Sequence, residues 1–260
     1  MQLLNPNLDP EAIRAEFQAE RMVVIRDFFA AETARLLYQT LESVAHWEFW
    51  SRGSDGTAIV TPERWASLTA PERAALIPPQ CPPAGQFYFA YERVTPHPHS
   101  ADSALRTLGS FFLALNAPGY LQFMQAITGY NTIRKVDGAF SRYRAGHFLS
   151  PHTDANRDQV RLAAHVLSLT PDWQPEWGGN LTIYSARQSP SDTRFDARSA
   201  DIGAAREISP SFNTLTLFEV PRLHVVSPVC ATANRYSLFA WLVERDINPH
   251  STDATRKIAL

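Results

Sequence analysis

The chain has 260 residues, of which 45% are hydrophobic, and this length and composition suffice for one large domain with a substantial core. The formal net charge is only −2 and lysines and arginines do not cluster, so a nucleic-acid partner is not expected. Few cysteines, no signal-peptide pattern and no apolar run long enough for a bilayer lead us to expect a cytoplasmic protein without a membrane partner.

The first 130 residues are predicted to form mainly helices, with a few strands. The first helix has a clear start, because Asp9 can cap it, Pro10 fits its first turn, and the apolar residues that follow fall on one face. The predicted helices span about 8–20, 31–45, 71–77 and 102–128, and the predicted strands span 22–26 and 86–94. Residues 51–85 are otherwise irregular, and the proline-rich stretch 78–85 is interpreted as a surface connector or, alternatively, as a lid over a substrate.

After about residue 131 the pattern changes to short β-type segments separated by turn-forming residues. The predicted strands here span 138–144, 147–153, 161–169, 179–185, 213–219, 222–229 and 235–243. Many short strands of similar length are typical of a jelly-roll sandwich or barrel. The polar stretch 186–212 is interpreted as a long loop, either a mobile lid or plain surface. We therefore predict one α+β domain over 1–260, in which helices of 1–130 support a jelly-roll core over 131–245.

His152 and Asp154 form the first candidate metal-binding pair, at a predicted strand end. Residues two apart in a strand point to one face, so the imidazole and the carboxylate are expected to converge. One imidazole nitrogen and one carboxylate oxygen suit a divalent metal such as iron, although a polar loop without a ligand is the alternative for the pair alone. His46 and Glu48 have the same spacing, but we reject them because they end a predicted helix, where such residues do not face each other.

His224 is the candidate for a third ligand. It interrupts an otherwise apolar predicted strand, far enough after Asp154 for later strands to return beside the first pair. A hydrogen-bonded core histidine is the plainer alternative. Two other histidines fit less well, since His147 precedes the pair at a strand start and His165 is interpreted as a wall residue.

Arg235 stands at the start of the last predicted strand, whose inward positions are otherwise apolar. A buried guanidinium needs a partner of opposite charge, and no acidic residue is nearby in this strand. A ligand carboxylate is one candidate, because arginine binds carboxylates through two parallel hydrogen bonds. An ion pair with a distant Asp or Glu, or contact with solvent, is the alternative.

Taken together, these motifs resemble the 2-oxoglutarate- and Fe(II)-dependent dioxygenases, in particular their prolyl-hydroxylase-like branch. Two histidines and one carboxylate with open coordination positions form the facial triad of such non-haem iron oxygenases. The matching stretches are 142–154, 177–184, 224–229 and 235–241, in that order. The N-terminal half resembles the helical support of that branch only loosely.

The resemblance implies a double-stranded β-helix with Fe(II) held by His152, Asp154 and His224. It implies that the co-substrate 2-oxoglutarate chelates this iron and pairs its far carboxylate with Arg235. It further implies O2 as the oxidant, and it leaves ascorbate as a candidate additional cofactor.

Two further residues are candidate contacts of the co-substrate. Tyr143 matches a tyrosine that often hydrogen-bonds it in this family, with a core aromatic as the alternative. Ser237 lies two residues after Arg235 on the same predicted face and is a candidate second contact for the same carboxylate. The family's frequent tyrosine near Leu167 or Ser168 is absent from this chain.

The function prediction is a 2-oxoglutarate-dependent dioxygenase that hydroxylates a prolyl residue, another amino-acid side chain or a small molecule and releases succinate. A carboxylate at position 154 favours hydroxylation, because related halogenases have a small residue there. Two alternatives stay open: a non-catalytic metal-binding β-barrel that senses oxygen or 2-oxoglutarate, and an oxygenase with the same triad that does not use 2-oxoglutarate. Arg235 counts against the last of these.

Overall fold

The computed structural model describes residues 2–185 and 204–247. The helices are α1 (Pro10–Glu20), α2 (Ala31–Ser43), α3 (Pro62–Ser67), α4 (Ala70–Ala75), α5 (Ser103–Leu115) and α6 (Pro118–Thr128). The strands are β1 (Met22–Ile25), β2 (Glu48–Gly53), β3 (Gly56–Val60), β4 (Phe89–Val94), β5 (Lys135–Tyr143), β6 (Phe148–His152), β7 (Gln159–Ser168), β8 (Leu181–Tyr184), β9 (Ala205–Ile208), β10 (Thr214–Glu219), β11 (His224–Val226) and β12 (Arg235–Asp246). Within the two described ranges, no helix combines the length and the apolar character that a bilayer crossing requires. The single domain over 1–260 and the cytoplasmic location stay predictions.

The twelve strands of the described residues form one curled antiparallel sheet. Ten of them follow the order β1-β10-β7-β12-β5-β4-β6-β11-β8-β9, and the hairpin of β2 and β3 pairs with β4. The long strand β12 pairs with β5 on one side and β7 on the other. Residues of β12 and residues of β6 and β11 line one cavity, so the sheet curls into a half-barrel around it. The predicted jelly-roll class is confirmed.

Alternation along β12 gives the sheet two different faces. Leu238 and Leu242 point toward the helices and belong to the main hydrophobic core. Arg235, Ser237 and Phe239 point the other way and line the cavity. Because successive side chains of a strand face opposite sides, the strand that anchors the core also supplies part of the cavity wall.

Local sequence explains the helices that support this sheet. The Asp9 side chain accepts two backbone N–H bonds from the first turn of α1, and Ile13 and Phe17 of that helix are buried, as predicted. The predicted helix over 102–128 is interrupted, because Pro118 cannot continue α5 and instead starts α6. The helices α1, α2, α5 and α6 pack on the face of the sheet that lies away from the cavity.

Two regions are more regular than predicted. The segment 51–85 contains the end of β2, the whole of β3 and the helix α3, none of which was predicted. The proline-rich stretch 78–85 has neither helix nor strand, as expected. The predicted loop 186–212 contains β9, which pairs with β8. β9 was missed because most of it is exposed, so its side chains carry no alternating apolar pattern. Residues 186–203, and hence most of that proposed lid, lie outside the described residues.

Candidate active site

His152 and Asp154 converge at the end of β6, but for a different reason from the predicted one. β6 ends at His152, and Asp154 lies beyond it with a left-handed backbone (φ 60°). The two side chains therefore meet through a turn and not through strand alternation. The predicted reason for their convergence was wrong, although the two residues do lie together. His224 is the first residue of β11 and lies directly opposite His152 in the antiparallel pair, with ring centroids 4.0 Å apart.

The three side chains form one cluster of potential metal ligands. The Nε2 atom of His152 lies 3.5 Å from Oδ1 of Asp154, and the Nε2 atom of His224 lies 3.4 Å from Oδ2. One ligand atom from each residue can be chosen so that all lie within 4.8 Å of one another. The triad that the resemblance implies is thus brought together in space.

The hydrogen bonds of the two imidazoles show that this cluster suits a cation. Nδ1 of His152 lies 2.9 Å from the carbonyl oxygen of Ser150, and Nδ1 of His224 lies 2.9 Å from that of Arg222. A carbonyl can only accept, so each Nδ1 carries a hydrogen, and in the uncharged form of each ring Nε2 directs its lone pair toward Asp154. Three acceptor groups then face one another, an arrangement that a bound cation stabilises.

Electrostatics favour the charge states that metal binding needs. Burial alone would raise the pKa of Asp154, but the nearby His224 and His152 hold the pKa of its carboxyl well below its usual range. Burial, together with the neighbouring His152, lowers the pKa of His224 to about 4. At neutral pH the site therefore offers an ionised carboxylate and an uncharged His224, the forms that bind metals.

Arg235 lies on the same cavity and lacks an acidic partner within the described part of the chain. Its side chain is only 2% exposed, and its Nε has no hydrogen-bond partner there. Nη1 donates to Oγ of Ser237 at 3.3 Å, and the guanidinium carbon lies 5.0 Å from the ring centroid of Tyr143. A buried guanidinium without a counter-charge is unfavourable, so this geometry suits an anionic ligand.

Gly179 makes room for this arginine. A Cβ atom at position 179 would lie 2.7 Å from Cδ of Arg235, and the residue has a left-handed backbone with φ 67°. From the sequence, Gly178 and Gly179 are interpreted only as permitting a tight entry into the next strand. The close approach to Arg235 is a second requirement that the motif does not reveal.

Tyr143 and Ser237 line the cavity together with Arg235, and their contact with a co-substrate stays a prediction. Tyr143 is opposite Arg235 in the β5–β12 pair, and its ring stacks on Tyr91 at 5.7 Å. Burial raises the pKa of Tyr143 well above its usual range, so the phenol keeps its proton. Oγ of Ser237 lies 2.8 Å from Oγ of Ser141, the residue opposite it on β5. Ser141 was not among the predicted site residues.

The cavity around these groups has a volume of about 540 Å³. One part of its lining, the aromatic wall, is formed by Phe87, Phe89, Tyr91, Tyr143, Phe239 and Trp241. Phe87 stacks on the ring of His152, with centroids 4.4 Å apart. Trp241, interpreted from the sequence as a core residue, lines the cavity, and the guanidinium carbon of Arg161 lies 3.4 Å from its ring centroid. Phe87 and Arg161 were missed because their contacts join segments that no sequence motif links.

The other histidines of this half lie elsewhere. His147 directly precedes β6, as predicted, and packs against Phe49 away from the cavity lining. His165 is not a wall residue of the cavity: it points to the helices, where Nε2 lies 2.6 Å from the hydroxyl of Tyr120. Burial lowers the pKa of both histidines to about 4.

His46 and Glu48 are outside the metal-ligand cluster, as predicted, but the stated reason was wrong. The helix α2 ends at Ser43, and Glu48 already belongs to β2. Both residues therefore lie after the helix. What separates them from the site is their position on the hairpin side of the sheet, not helical spacing.

Comparison with known proteins agrees with this geometry. Residues 138–243 match the family model of the 2OG-Fe(II) oxygenase superfamily. This segment contains every predicted site residue, from Tyr143 on β5 to Ser237 on β12. No curated protein matches the chain by sequence.

Several solved structures share the fold. A prolyl-4-hydroxylase from Pseudomonas putida is 19% identical with a TM-score of 0.56, and the match covers 91% of this chain and 100% of the other. An oxidoreductase of the 2OG-Fe(II) oxygenase family from Burkholderia pseudomallei is 13% identical with a TM-score of 0.57, covering 95% and 97%. A prolyl hydroxylase from Trichoplax adhaerens, in complex with a hypoxia-inducible-factor peptide, is 15% identical with a TM-score of 0.51, covering 90% and 89%.

At these identities the structural likeness establishes the fold, which is the predicted double-stranded β-helix with helical support. The family match adds the class of chemistry, for which Fe(II), 2-oxoglutarate and O2 are the implied participants. Together the two findings support a dioxygenase enzyme. Residues 138–243 of this chain thus resemble the 2OG-Fe(II) oxygenase superfamily in sequence, and the fold resembles that of the Pseudomonas putida prolyl-4-hydroxylase, in agreement with the resemblance seen in the sequence.

Proposed function

We propose that the protein is a 2-oxoglutarate- and Fe(II)-dependent hydroxylase of an amino-acid side chain or a related small molecule. One observation carries the proposal: a cluster of His152, Asp154 and His224 and a buried Arg235 without an acidic partner line the same cavity. A metal site alone would fit many functions. The combination with a buried cation on the same cavity fits a metal that shares its cavity with a dicarboxylate.

Each residue then has a definite task. His152, Asp154 and His224 would hold Fe(II), which together with 2-oxoglutarate and O2 supplies oxidative decarboxylation to succinate and CO2 and the insertion of oxygen into a C–H bond. Arg235, assisted by Ser237, binds the far carboxylate and so fixes the direction in which the co-substrate enters.

The aromatic wall has a positioning and excluding role. The Tyr143 ring faces the guanidinium of Arg235 and holds it toward the cavity through a cation–π contact. Phe87 covers one side of the His152 ring, which limits its rotation and shields it from water. A dry, pre-arranged site of this kind favours reaction of the bound substrate over side reactions.

The carboxylate at position 154 supports hydroxylation as the outcome. In the resembling halogenases a small residue at this place leaves room for chloride, whereas Asp154 fills it with a ligand oxygen. Hydroxylation is therefore the reaction that we assign to the cavity.

A prolyl side chain within a peptide is the first substrate class to examine, because two structures that share the fold are prolyl hydroxylases and one of these holds a peptide. Another amino-acid side chain or a free metabolite is the second class. The aromatic wall fits an apolar or ring-shaped group in either case. Ascorbate remains a candidate for keeping the iron reduced.

The direct test is succinate formation by the purified protein. We expect succinate only when Fe(II), 2-oxoglutarate and O2 are all present, and a higher rate with an accepted peptide or metabolite from a panel. Mass spectrometry of that substrate should show the gain of one oxygen atom. Binding of metal and 2-oxoglutarate with no succinate under any condition would support the sensor alternative. An oxidised product that forms without 2-oxoglutarate would instead support an oxygenase that has the same triad but does not use 2-oxoglutarate.

A further inference from the structure

The backbone of Asp154 has an unusual conformation with little local support. A left-handed φ of 60° is uncommon for a residue other than glycine, although Asp tolerates it better than most. β6 has already ended at His152, so no strand pairing holds this position. In the part of the chain that the structure describes, the Asp154 backbone makes one hydrogen bond, which its carbonyl oxygen accepts from Nη1 of Arg161 at 3.3 Å.

Arg161 is itself held from two other sides. Its guanidinium carbon lies 3.4 Å from the ring centroid of Trp241 on β12. Its Nε donates to Oε1 of Gln159 at 3.2 Å. A planar guanidinium stacked on an indole and bonded along its edge has little freedom to turn, so the direction of Nη1 is fixed by the sheet.

We infer that Arg161 is a positioning residue, which with Trp241 holds Asp154 in the left-handed turn that aims its carboxylate at the two histidines. This inference rests on the proposed metal triad and adds to it a residue that binds neither metal nor co-substrate. Residues that orient a metal ligand from behind commonly change metal affinity by about tenfold to a hundredfold when they are removed.

Electrostatics make the inference sharp, because charge and geometry predict opposite results. Removing a positive charge close to a cation site should, by Coulomb interaction alone, strengthen the binding of a divalent metal. Removing the group that orients Asp154 should weaken it. A weaker metal affinity in an Arg161 variant therefore reports positioning and not charge.

The experiment is a Co(II) titration of the full-length apo-protein, followed by its visible absorption, with no turnover involved. We expect Arg161→Ala to bind Co(II) at least about tenfold more weakly and to change the shape of the absorption bands. Arg161→Lys keeps the charge but loses the planar stack. We expect its Co(II) affinity to lie between those of the wild type and Arg161→Ala. Arg245→Ala removes an exposed arginine at the end of the same strand pair and serves as the charge-matched control.

The outcomes separate the two levels of the proposal. A wild-type protein that shows no Co(II) bands dependent on His152 would defeat the proposed metal site itself. Wild-type bands that are unchanged in both Arg161 variants, or a tighter Co(II) affinity in Arg161→Ala, would defeat the positioning role alone. Unchanged Co(II) binding with a raised KM for the substrate would also defeat it, by making Arg161 a substrate contact. If Arg161→Ala fails to fold, Arg161→Lys decides.

Discussion

The two faces of the sheet each contain a buried histidine, and the comparison between them shows what distinguishes a site from a core. Burial lowers the pKa of both His165 and His224 to about 4, so neither exposure nor charge state separates them. His165 meets the hydroxyl of Tyr120 and the ring of Phe28 on the helix side. His224 directs Nε2 toward another acceptor, the Asp154 carboxylate, on the cavity side. The functional residue is marked not by burial but by a ring nitrogen that faces a second potential metal ligand.

The largest effect expected from this comparison is the loss of turnover when a member of the triad on the cavity side is replaced. We expect His152→Ala, Asp154→Ala and His224→Ala each to abolish succinate formation, because a three-ligand site that loses one ligand holds Fe(II) poorly. His165→Gln is the matched control, since glutamine can still accept a hydrogen bond from Tyr120. We expect it to retain turnover. Full activity in any one triad variant would remove that residue from the site.

The next largest effect concerns the guanidinium of Arg235, which lines the same cavity. We expect Arg235→Ala to raise the requirement for 2-oxoglutarate by roughly tenfold to a hundredfold, the value of a buried charge-assisted hydrogen-bonded pair, while metal binding stays intact. The measurement is the KM for 2-oxoglutarate together with the Co(II) affinity. Arg235→Lys should recover part of the loss, because it keeps the charge without the two-pronged geometry.

A shorter ligand provides the control for that result. 2-Oxobutyrate keeps the chelating 2-oxo acid group but lacks the far carboxylate, so its weak binding should change little in Arg235→Ala. An equal loss for both ligands, or an unchanged 2-oxoglutarate requirement, would assign Arg235 to the structure of the wall.

The helix face gives a prediction about stability and pH. His165 has a folded-state pKa of about 4 against about 6.5 in the unfolded chain, so protons bind the unfolded state more readily. The stability that neutral His165 contributes is complete above pH 6.5 and is lost as the pH falls toward 4. The full loss amounts to about 3 kcal/mol.

Urea unfolding between pH 7 and pH 4.5 measures this effect. We expect the decline in unfolding free energy to be shallower for His165→Gln than for the wild type. His97→Gln, a change at an exposed histidine, should leave the decline as it is. Equal pH dependence in the wild type and His165→Gln would mean that His165 is hydrated or already protonated in the fold.

How far the sequence predicts this molecule depends on whether a feature is local. The start of α1 follows from Asp9 and Pro10, and the triad follows from residue types at the adjacent ends of β6 and β11, so both could be predicted. The β2–β3 hairpin was missed, although Ser54 and Asp55 followed by Gly56 are turn-forming residues between two short segments. The strand β9 has no such signal, because it is exposed and is defined only by its pairing with β8.

Features that depend on three-dimensional approach could not be predicted. Nothing near Asp154 in the sequence indicates a left-handed backbone, and the stack of Arg161 on Trp241 joins separate strands. The space that Gly179 leaves for Arg235 likewise appears only when β8 and β12 are brought together. Residue types identify which groups take part, while the fold decides which of them touch.

The smallest expected effect tests the hydroxyl beside the guanidinium. Oγ of Ser237 accepts a hydrogen bond from Arg235 and lies 2.8 Å from Oγ of Ser141, so its hydroxyl can form at most one further hydrogen bond to a bound carboxylate. We expect Ser237→Ala to raise the KM for 2-oxoglutarate by only about threefold to tenfold, the value of one neutral hydrogen bond. Ser237→Thr, which keeps the hydroxyl, should stay close to the wild type. A loss as large as that of Arg235→Ala would mean that the serine, and not the arginine, fixes the carboxylate, and the contrast between the two faces would then rest on a different residue.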